Sequence, residues 1–305
     1  MRLSSLHVYP VKSCAGLSPS SWPVDALGFQ YDRRWMVTTP RGQFLTQREV
    51  PALALVTPEI RPPHLVLRFP GQPDLVTALA PMGGRPVATQ VWDDPLRVVA
   101  PDHKADAWFS DVVEQEAVLA WFPETVIRPV NTHWAPRGGR TGFADGFPFL
   151  LAGEASLADL NARLATPLPM NRFRPNLVVS GSAPFAEDGW REVVIGGIAM
   201  EVVKPCARCV ITTTDQATGR RMGDEPLRTL ATFRRQDQKV MFGQNVVHYG
   251  TGTLQVGDEV SVGSIAGKRE AGSGKREAGS GRRRTPLPVS RFPSSLHPIS
   301  PQRHP

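Results

Sequence analysis

Over the first hundred residues apolar and polar positions alternate in short runs, which predicts strands. In LHVYPVKS the apolar Leu6, Val8 and Val11 stand among polar neighbours. RRWMVTTPRGQFLTQRE reads as a hairpin with Pro40, Arg41, Gly42 and Gln43 in its turn. HLVLRFPGQPDLVTAL reads as a second hairpin about Pro70 and Gly71. Near Asp106 to Glu116 the period changes. Trp108 and Val112 stand four apart there, which predicts a short helix.

The second half is mixed. EASLADLNARLATP predicts a helix with Leu157, Leu160 and Leu164 on one stripe, Ser156 as its cap and Pro167 as its stop. NLVVSG and REVVIGGIAMEVV predict strands, the latter a hairpin through Gly196 and Gly197. DEPLRTLATFRRQ predicts a helix with Pro226 near its first turn and Leu227, Leu230 and Phe233 facing inward. GTLQVGDEVSV predicts closing strands. Short strands broken by Pro and Gly favour a barrel or sandwich over a doubly wound sheet. A domain boundary is expected near residues 120–130, around Pro123 and Pro129.

The chain has 305 residues, 41% of them hydrophobic and 8% aromatic, enough for a sizeable core. No apolar run approaches the roughly 18 residues of a membrane helix. Met1 to Lys12 lacks the apolar core of a signal peptide, so a cytoplasmic setting without membrane attachment is expected. The net charge of +7 changes the picture less than it promises. Gly267 to Pro305 carries nine Lys or Arg and two acids, which is the whole excess. The rest holds 26 residues of each sign and gives no overall field to steer a polyanion, so a nucleic-acid partner is not expected. In that last stretch GKREAGS occurs twice, at 267–273 and 274–280, and Arg282, Arg283 and Arg284 follow. A charged, low-complexity composition of this kind predicts a disordered basic tail.

Three cysteines cannot make a disulfide framework, and seven scattered histidines show no metal-ligand spacing. The most informative segment is VVKPCARCVITTTD, which sets Cys206 and Cys209 three apart at the end of a predicted strand. A redox Cys-x-x-Cys pair needs a helix N-terminus to activate it, and the β-branched residues that follow disfavour one. A zinc half-site needs a second pair of ligands. A single thiolate can instead bind a metal already held by a cofactor. A plain buried cysteine remains a fourth reading, and spacing alone does not choose among them.

KPCARCVITTTDQATG resembles the signature of the MOSC family, named for the C-terminal domain of molybdenum-cofactor sulfurase. YPVKSCAG is similar to the N-terminal β-barrel domain that precedes it in that family. FGQN at Phe242 to Asn245 and VGDEV near the end are similar to its closing motifs, so the likeness runs in order over about residues 1–263. Within the family the chain resembles the amidoxime-reducing components, mitochondrial and bacterial.

The resemblance implies a mainly β fold with α/β elements. It implies an N-terminal β-barrel-like domain at 1–122 and a MOSC β-barrel domain with flanking helices at 123–265, which leaves the basic tail, read from its composition, at 266–305. It implies molybdenum cofactor (Mo-molybdopterin) with Cys209 as the metal ligand. Lys12 and Ser13 match positions that hold the pterin's phosphate. Arg33, Arg174 and Asn176 match further cofactor contacts, and Asp145 in FADGFPFLL matches an acid beside the metal. A phosphate calls for forked guanidinium donors and an ammonium point charge, which Arg33, Arg174 and Lys12 supply. Cys206 is expected as a small packed neighbour, Arg48 as a structural ion-pair former, Trp35 as core and His248 as a satisfied histidine. Whether Cys14 lines the pocket is open.

The implied activity is reduction of N-hydroxylated or N-oxygenated small molecules. The chain has too few cysteines for a ferredoxin-type cluster, so a separate ferredoxin or flavin reductase would supply the electrons. The competing reading is a molybdenum-cofactor carrier, or a sulfur-transfer protein with a persulfide on Cys209. Pyridoxal phosphate binding comes with the family, yet no lysine-anchored motif for it is evident.

Overall fold

The first and last strands of the chain meet. In a computed structural model that describes residues 1–263, Arg2–Leu6 pairs antiparallel with Leu177–Ser180, and Arg2 bridges to Glu259 beside the strand Val260–Val262. Between these edges the main sheet runs Leu177–Ser180, Phe149–Gly153, Lys239–His248, Ile198–Arg208, Glu192–Ile195. The Arg2–Glu259 bridge brings the edges together, so the sheet nearly closes into a barrel and leaves few unpaired backbone groups. The one parallel pair of strands among the described residues, Phe149–Gly153 with Leu177–Ser180, is joined through the helix Glu154–Ala162, as a parallel crossover requires. Leu3, Phe149, Leu151, Met200 and Val246 are among the side chains of this sheet's core.

Two register shifts interrupt the pairing of Ile198–Arg208 with Lys239–His248, at Val202/Lys204 and at Pro205/Ala207. Pro205 has no N–H to give the ladder, which accounts for the second. Bulges bend a strand and re-aim its side chains. This pair delivers the strand's end, and Cys209 just beyond it, to the candidate site.

Residues 35–121 build a second core. One sheet runs Trp35–Thr38, Val118–Trp121, Asp94–Ala100, Arg85–Val91, and another runs Thr57–Arg61, His64–Arg68, Leu75–Ala78. The helix His103–Val113 packs Trp108, Phe109 and Val112 into that core with Trp35 and Leu65. A further sheet joins Ser21–Asp25 to Gly28–Phe29 and to Gly252–Gln255. The fold is mainly β, as the alternation predicts. Among the described residues no helix is long and apolar enough to cross a membrane.

Several expectations are corrected in detail. The strand in LHVYPVKS stops at Leu6. Val8 and Val11 make only isolated bridges, to Leu17 and Trp35, because the chain turns at Pro10 and reaches a left-handed Ser13 (φ 68°). The 40–43 turn forms, with Thr39 N–H donating to the Gln43 carbonyl at 2.8 Å, but its return arm is a single bridge between Thr38 and Phe44. The first helix begins at His103 because the Asp102 carboxylate accepts from Lys104 N–H and caps it there. Ser156 does not cap the second helix. It lies inside Glu154–Ala162, buried, with its hydroxyl on the Glu187 carboxylate at 2.7 Å. The third helix is one short turn and a half, Leu227–Ala231, with Leu230 buried. The expected basic tail at 266–305 lies outside the described residues.

Candidate functional site

Cys209 follows directly on the strand Ile198–Arg208 and precedes a single 3-10 turn, Val210–Thr213. The Thr212 N–H and hydroxyl both donate to the Cys209 carbonyl, at 3.1 and 3.0 Å. With its backbone held in this way, the half-buried thiol lies on the wall of a cavity of about 1130 Å³. Arg48 Nη2 donates to Cys209 Sγ at 3.5 Å, and the same guanidinium lies 4.7 Å over the Trp92 ring.

Seven Lys or Arg side chains line the cavity against three Asp, an excess of four positive charges in a chain body that is formally neutral. Such a concentration on a concave, partly buried wall focuses the field on an anion.

Lys12 is the most buried of these cations. Its Nζ donates to the Phe143 carbonyl at 2.8 Å and to Asp145 Oδ1 at 2.5 Å. Burial lowers its pKa from the usual lysine value, against the opposing pull of Asp145. Desolvation works to raise the Asp145 pKa, but Lys12, Arg48 and Arg33 outweigh it and hold the carboxyl well below the usual carboxylate range. Buried Arg128 shapes the loop that presents these acceptors. It donates to the carbonyls of Gly142 (2.9 Å), Ala144 (2.5 Å) and Asp145 (3.1 Å) and to the Asp94 carboxylate (2.8 Å).

A second network surrounds Tyr9. The Arg33 and Arg174 guanidiniums lie over its ring at 4.5 and 4.2 Å. Arg33 also donates to Asp32 Oδ2 at 2.5 Å and to Asn176 Oδ1 at 2.8 Å. Asn176 joins four partners: its Oδ1 accepts from Arg33 and from Leu150 N–H, and its Nδ2 donates to the His7 carbonyl and to Asp32 Oδ1. Burial pushes the Tyr9 hydroxyl up to about 12 and the Arg174 guanidinium down to about 10. It also raises the Asp32 carboxyl, against Arg33 and the hydrogen bonds from Tyr9 N–H and Asn176. Ser13, Arg33 and Arg174 have left-handed backbone, φ 68°, 46° and 53°. Three such residues on one cavity wall are the pattern of strain concentrated at a functional site.

The MOSC N-terminal beta barrel domain family matches residues 1–116, and the MOSC domain family matches residues 138–261. Mitochondrial amidoxime-reducing component 1 of Mus musculus is 34% identical over 276 residues, covering 85% of this chain and 81% of that protein. The chain belongs to the MOSC family. Its relatives in that family include the Homo sapiens mitochondrial amidoxime-reducing component 1, 32% identical with 85% of this chain and 82% of that protein covered. The molybdenum cofactor sulfurase of Oryza sativa subsp. japonica is also 32% identical, over 80% of this chain. The chain spans 32% of that longer relative.

In this MOSC chain all seven residues singled out from the sequence line the one cavity: Lys12, Ser13, Arg33, Asp145, Arg174, Asn176 and Cys209. Asn176 takes part through its neighbours, since its side-chain amide is taken up by protein partners. Two expectations change. Cys206 is not packed away. It is half-buried on the cavity wall and accepts from Arg208 Nη1 at 3.0 Å, because the bulge at Pro205 turns this end of the strand. Arg48 serves the Cys209 sulfur and the Trp92 ring, with only a longer-range pull on Asp145. Cys14 is fully buried in the 35–121 core, where burial pushes its thiol up to about 12. Trp35 is core, and His248 is buried with Nδ1 2.7 Å from the Gly250 carbonyl. Arg128 and Trp92 were not singled out. Arg128 carries no local signature, but Trp92 stands in the Val91–Asp94 hairpin turn, where a large aromatic is a signal.

Proposed function

We propose that this MOSC chain binds molybdenum cofactor in the basic cavity, with the Cys209 thiolate as the one protein ligand to the metal. On this reading it reduces N-hydroxylated or N-oxygenated small molecules with electrons from a separate redox protein. The observation that carries the reading is the position of Cys209 Sγ on the wall of a cavity with four excess positive charges.

The donor set fits the group. A pterin phosphate takes charge-assisted hydrogen bonds of about 1.5–3 kcal/mol each. Lys12, Arg33 and Arg174 offer the cations, and the Ser13 hydroxyl, which has no protein partner among the described residues, offers a neutral donor. Among the described residues no three His, Cys, Asp or Glu side chains are arranged to hold a metal, so a metal here brings its other ligands with the cofactor. When bound, the cofactor supplies two-electron redox chemistry at the metal.

The chain's own residues position and tune. Arg48 places a positive N–H donor against the sulfur and draws charge from it, the kind of outer contact that sets a metal's potential. Asp145, held ionised by Lys12, is a hydrogen-bond acceptor and an anchor, and not a proton source at neutral pH. Arg128 fixes the loop that sets Asp145 and the Phe143 carbonyl against Lys12. The amidoxime-reducing relatives, matched over four-fifths of their length, favour the N-oxygenated substrate class.

The test is metal and pterin content of the chain produced in cells that make the cofactor. Wild type is expected to carry about one Mo per chain and to reduce a simple amidoxime with a chemical donor, and Cys209→Ser to lose the activity. A wild-type chain free of both Mo and pterin overturns the reading. Full Mo loading without any N-reductase activity removes the reaction and keeps the cofactor.

A further inference from the structure

Gln47 and Gln216 lie 169 residues apart and are joined through both ends of their amides. Gln47 is fully buried and Gln216 half-buried. Gln47 Nε2 donates to Gln216 Oε1 at 3.1 Å, and Gln216 Nε2 donates to Gln47 Oε1 at 2.9 Å. Each amide also donates to a backbone carbonyl, Gln47 to that of Ser13 at 2.7 Å and Gln216 to that of Thr214 at 3.1 Å. A carbonyl only accepts, so these two bonds fix which end of each amide is nitrogen. They leave Gln216 Oε1 as the acceptor that meets Arg174 Nη1 at 3.4 Å. The pair therefore touches Ser13 and Arg174, two left-handed residues of the cavity wall.

Arg172 shows the alternative. It is buried, does not line the cavity, and is matched by a carboxylate, Asp215 Oδ2 at 3.0 Å. Asp215 and Gln216 are neighbours on one loop, so the acid serves the arginine away from the cavity and the amide serves the arginine on its wall. Arg174 has no ion pair among the described residues, and its guanidinium otherwise lies over the Tyr9 ring. An amide oxygen orients a guanidinium as a carboxylate does, but leaves its charge uncancelled.

We propose that Gln47 and Gln216 are positioning residues that hold Arg174 and the Ser13 backbone through a neutral pair, so that the Arg174 charge is kept for an anionic, phosphate-type group in the cavity. Neither glutamine touches that group. Gln47 belongs to the first matched domain and Gln216 to the second, so the anion site is assembled across both. The identity of the anion as the pterin phosphate rests on the proposed function. The neutral pair itself is independent of the metal, because a phosphate binds here with or without redox chemistry.

The experiment titrates inorganic phosphate into the cofactor-free full chain at pH 7, by calorimetry. Wild type is expected to bind it saturably, and Arg174→Gln about tenfold more weakly. Gln216→Ala removes the holder and leaves the Arg174 charge free, with an expected loss of about two- to threefold. Gln216→Glu keeps the side-chain length but sets a carboxylate against Arg174, with an expected loss of about tenfold. A pair that served only the fold would give the opposite order, since Glu preserves more of the packing than Ala. In an Arg174→Gln background, Gln216→Glu is expected to change the affinity by about twofold at most, because its effect runs through Arg174. Gln47→Ala is expected to weaken phosphate about threefold, with no further loss when combined with Gln216→Ala. Unfolding midpoints are the folding control, and the half-buried Gln216 carries the test where Gln47→Ala does not fold. Absence of saturable phosphate binding by wild type overturns the proposal. So does a Gln216→Glu loss no larger than that of Gln216→Ala, or one that is equal with and without Arg174. A chain that shows these differences, yet leaves cofactor-making cells without Mo or pterin, loses the proposed cofactor and keeps the anion site.

Discussion

Lys12 Nζ stands 2.5 Å from Asp145 Oδ1, and the two sides of the pair are unequally shielded: the lysine side chain is 8% exposed and the aspartate 60%, facing the cavity. The geometry makes Lys12 the group at risk. Asp145→Asn leaves an ammonium in the wall with the Phe143 carbonyl as its remaining partner. Breaking a fully buried pair costs about 3–5 kcal/mol. The solvent-facing carboxylate reduces that here to about 1–2 kcal/mol. Urea unfolding at pH 7 measures it.

The same pair has a pH signature. The folded chain holds Asp145 ionised below the pH where an unfolded Asp protonates, about 3.9. Its contribution is therefore fully present above that pH and is lost as pH falls further, towards the folded value. Wild type and Asp145→Asn should differ by a constant amount from pH 5 to 7 and converge only below about pH 4. Convergence already near pH 6 contradicts an ionised Asp145. Lys12 has the other sign of interest. Its lowered pKa means that the charged form is disfavoured by burial, so an anion bound in the cavity stabilises it.

The three cysteines should separate by reactivity. Cys14 is fully buried and its thiol is pushed up to about 12, which leaves about one part in ten thousand as thiolate at pH 8. Cys206 and Cys209 are half-buried and line the cavity. Cofactor-free chain treated with iodoacetamide at pH 8 is expected to gain two adducts by intact mass, and a third only in denaturant. A Cys14 adduct forming as fast as the other two under native conditions would show that the 35–121 core is open.

What the sequence made legible was local. Cys209, Lys12 and Arg174 each stand in a motif whose order along the chain can be read, and Gly196 and Gly197 announce their hairpin. What it hid is made between distant segments. The pairing of Arg2–Leu6 with Leu177–Ser180 has no local sign. The cavity's four excess charges vanish in a total of 26 against 26, since the compensating acids lie elsewhere. Ser156 carries a capping pattern, but the helix starts at Glu154 and buried Glu187 claims the hydroxyl. Arg128 sits in an irregular Pro-flanked loop, and its partners follow 14 to 17 residues later.

Arg128 is accordingly the sharpest test of how the site is held. Its five N–H donors serve three backbone carbonyls and one carboxylate. A lysine keeps the charge but cannot span that arc. Arg128→Lys leaves at least two buried carbonyls without donors, at about 1–3 kcal/mol each. Stability should fall by about 2–4 kcal/mol in urea unfolding, with Arg128→Ala no better. A loss below about 0.5 kcal/mol for Arg128→Lys would mean that the 142–145 loop holds its own shape.

Gly42 tests the path from turn chemistry to the site. It has φ +81°, and a Cβ added there would stand 2.1 Å from the Ala88 carbonyl oxygen. Its own carbonyl accepts from the Thr89 hydroxyl at 2.7 Å, so the turn is pressed against the strand Arg85–Val91 whose far end carries Trp92. Neither backbone can yield without breaking that contact or the pairing of Arg85–Val91 with Asp94–Ala100. Gly42→Ala combines a disfavoured left-handed conformation of about 1 kcal/mol with a backbone clash, and should destabilise by about 2–4 kcal/mol. Gly71→Ala is the control. Its φ is +79° with nothing near the added Cβ, so it should lose only the conformational part, about 1 kcal/mol. Equal losses for the two variants in urea unfolding would show that the Ala88 contact is not a constraint.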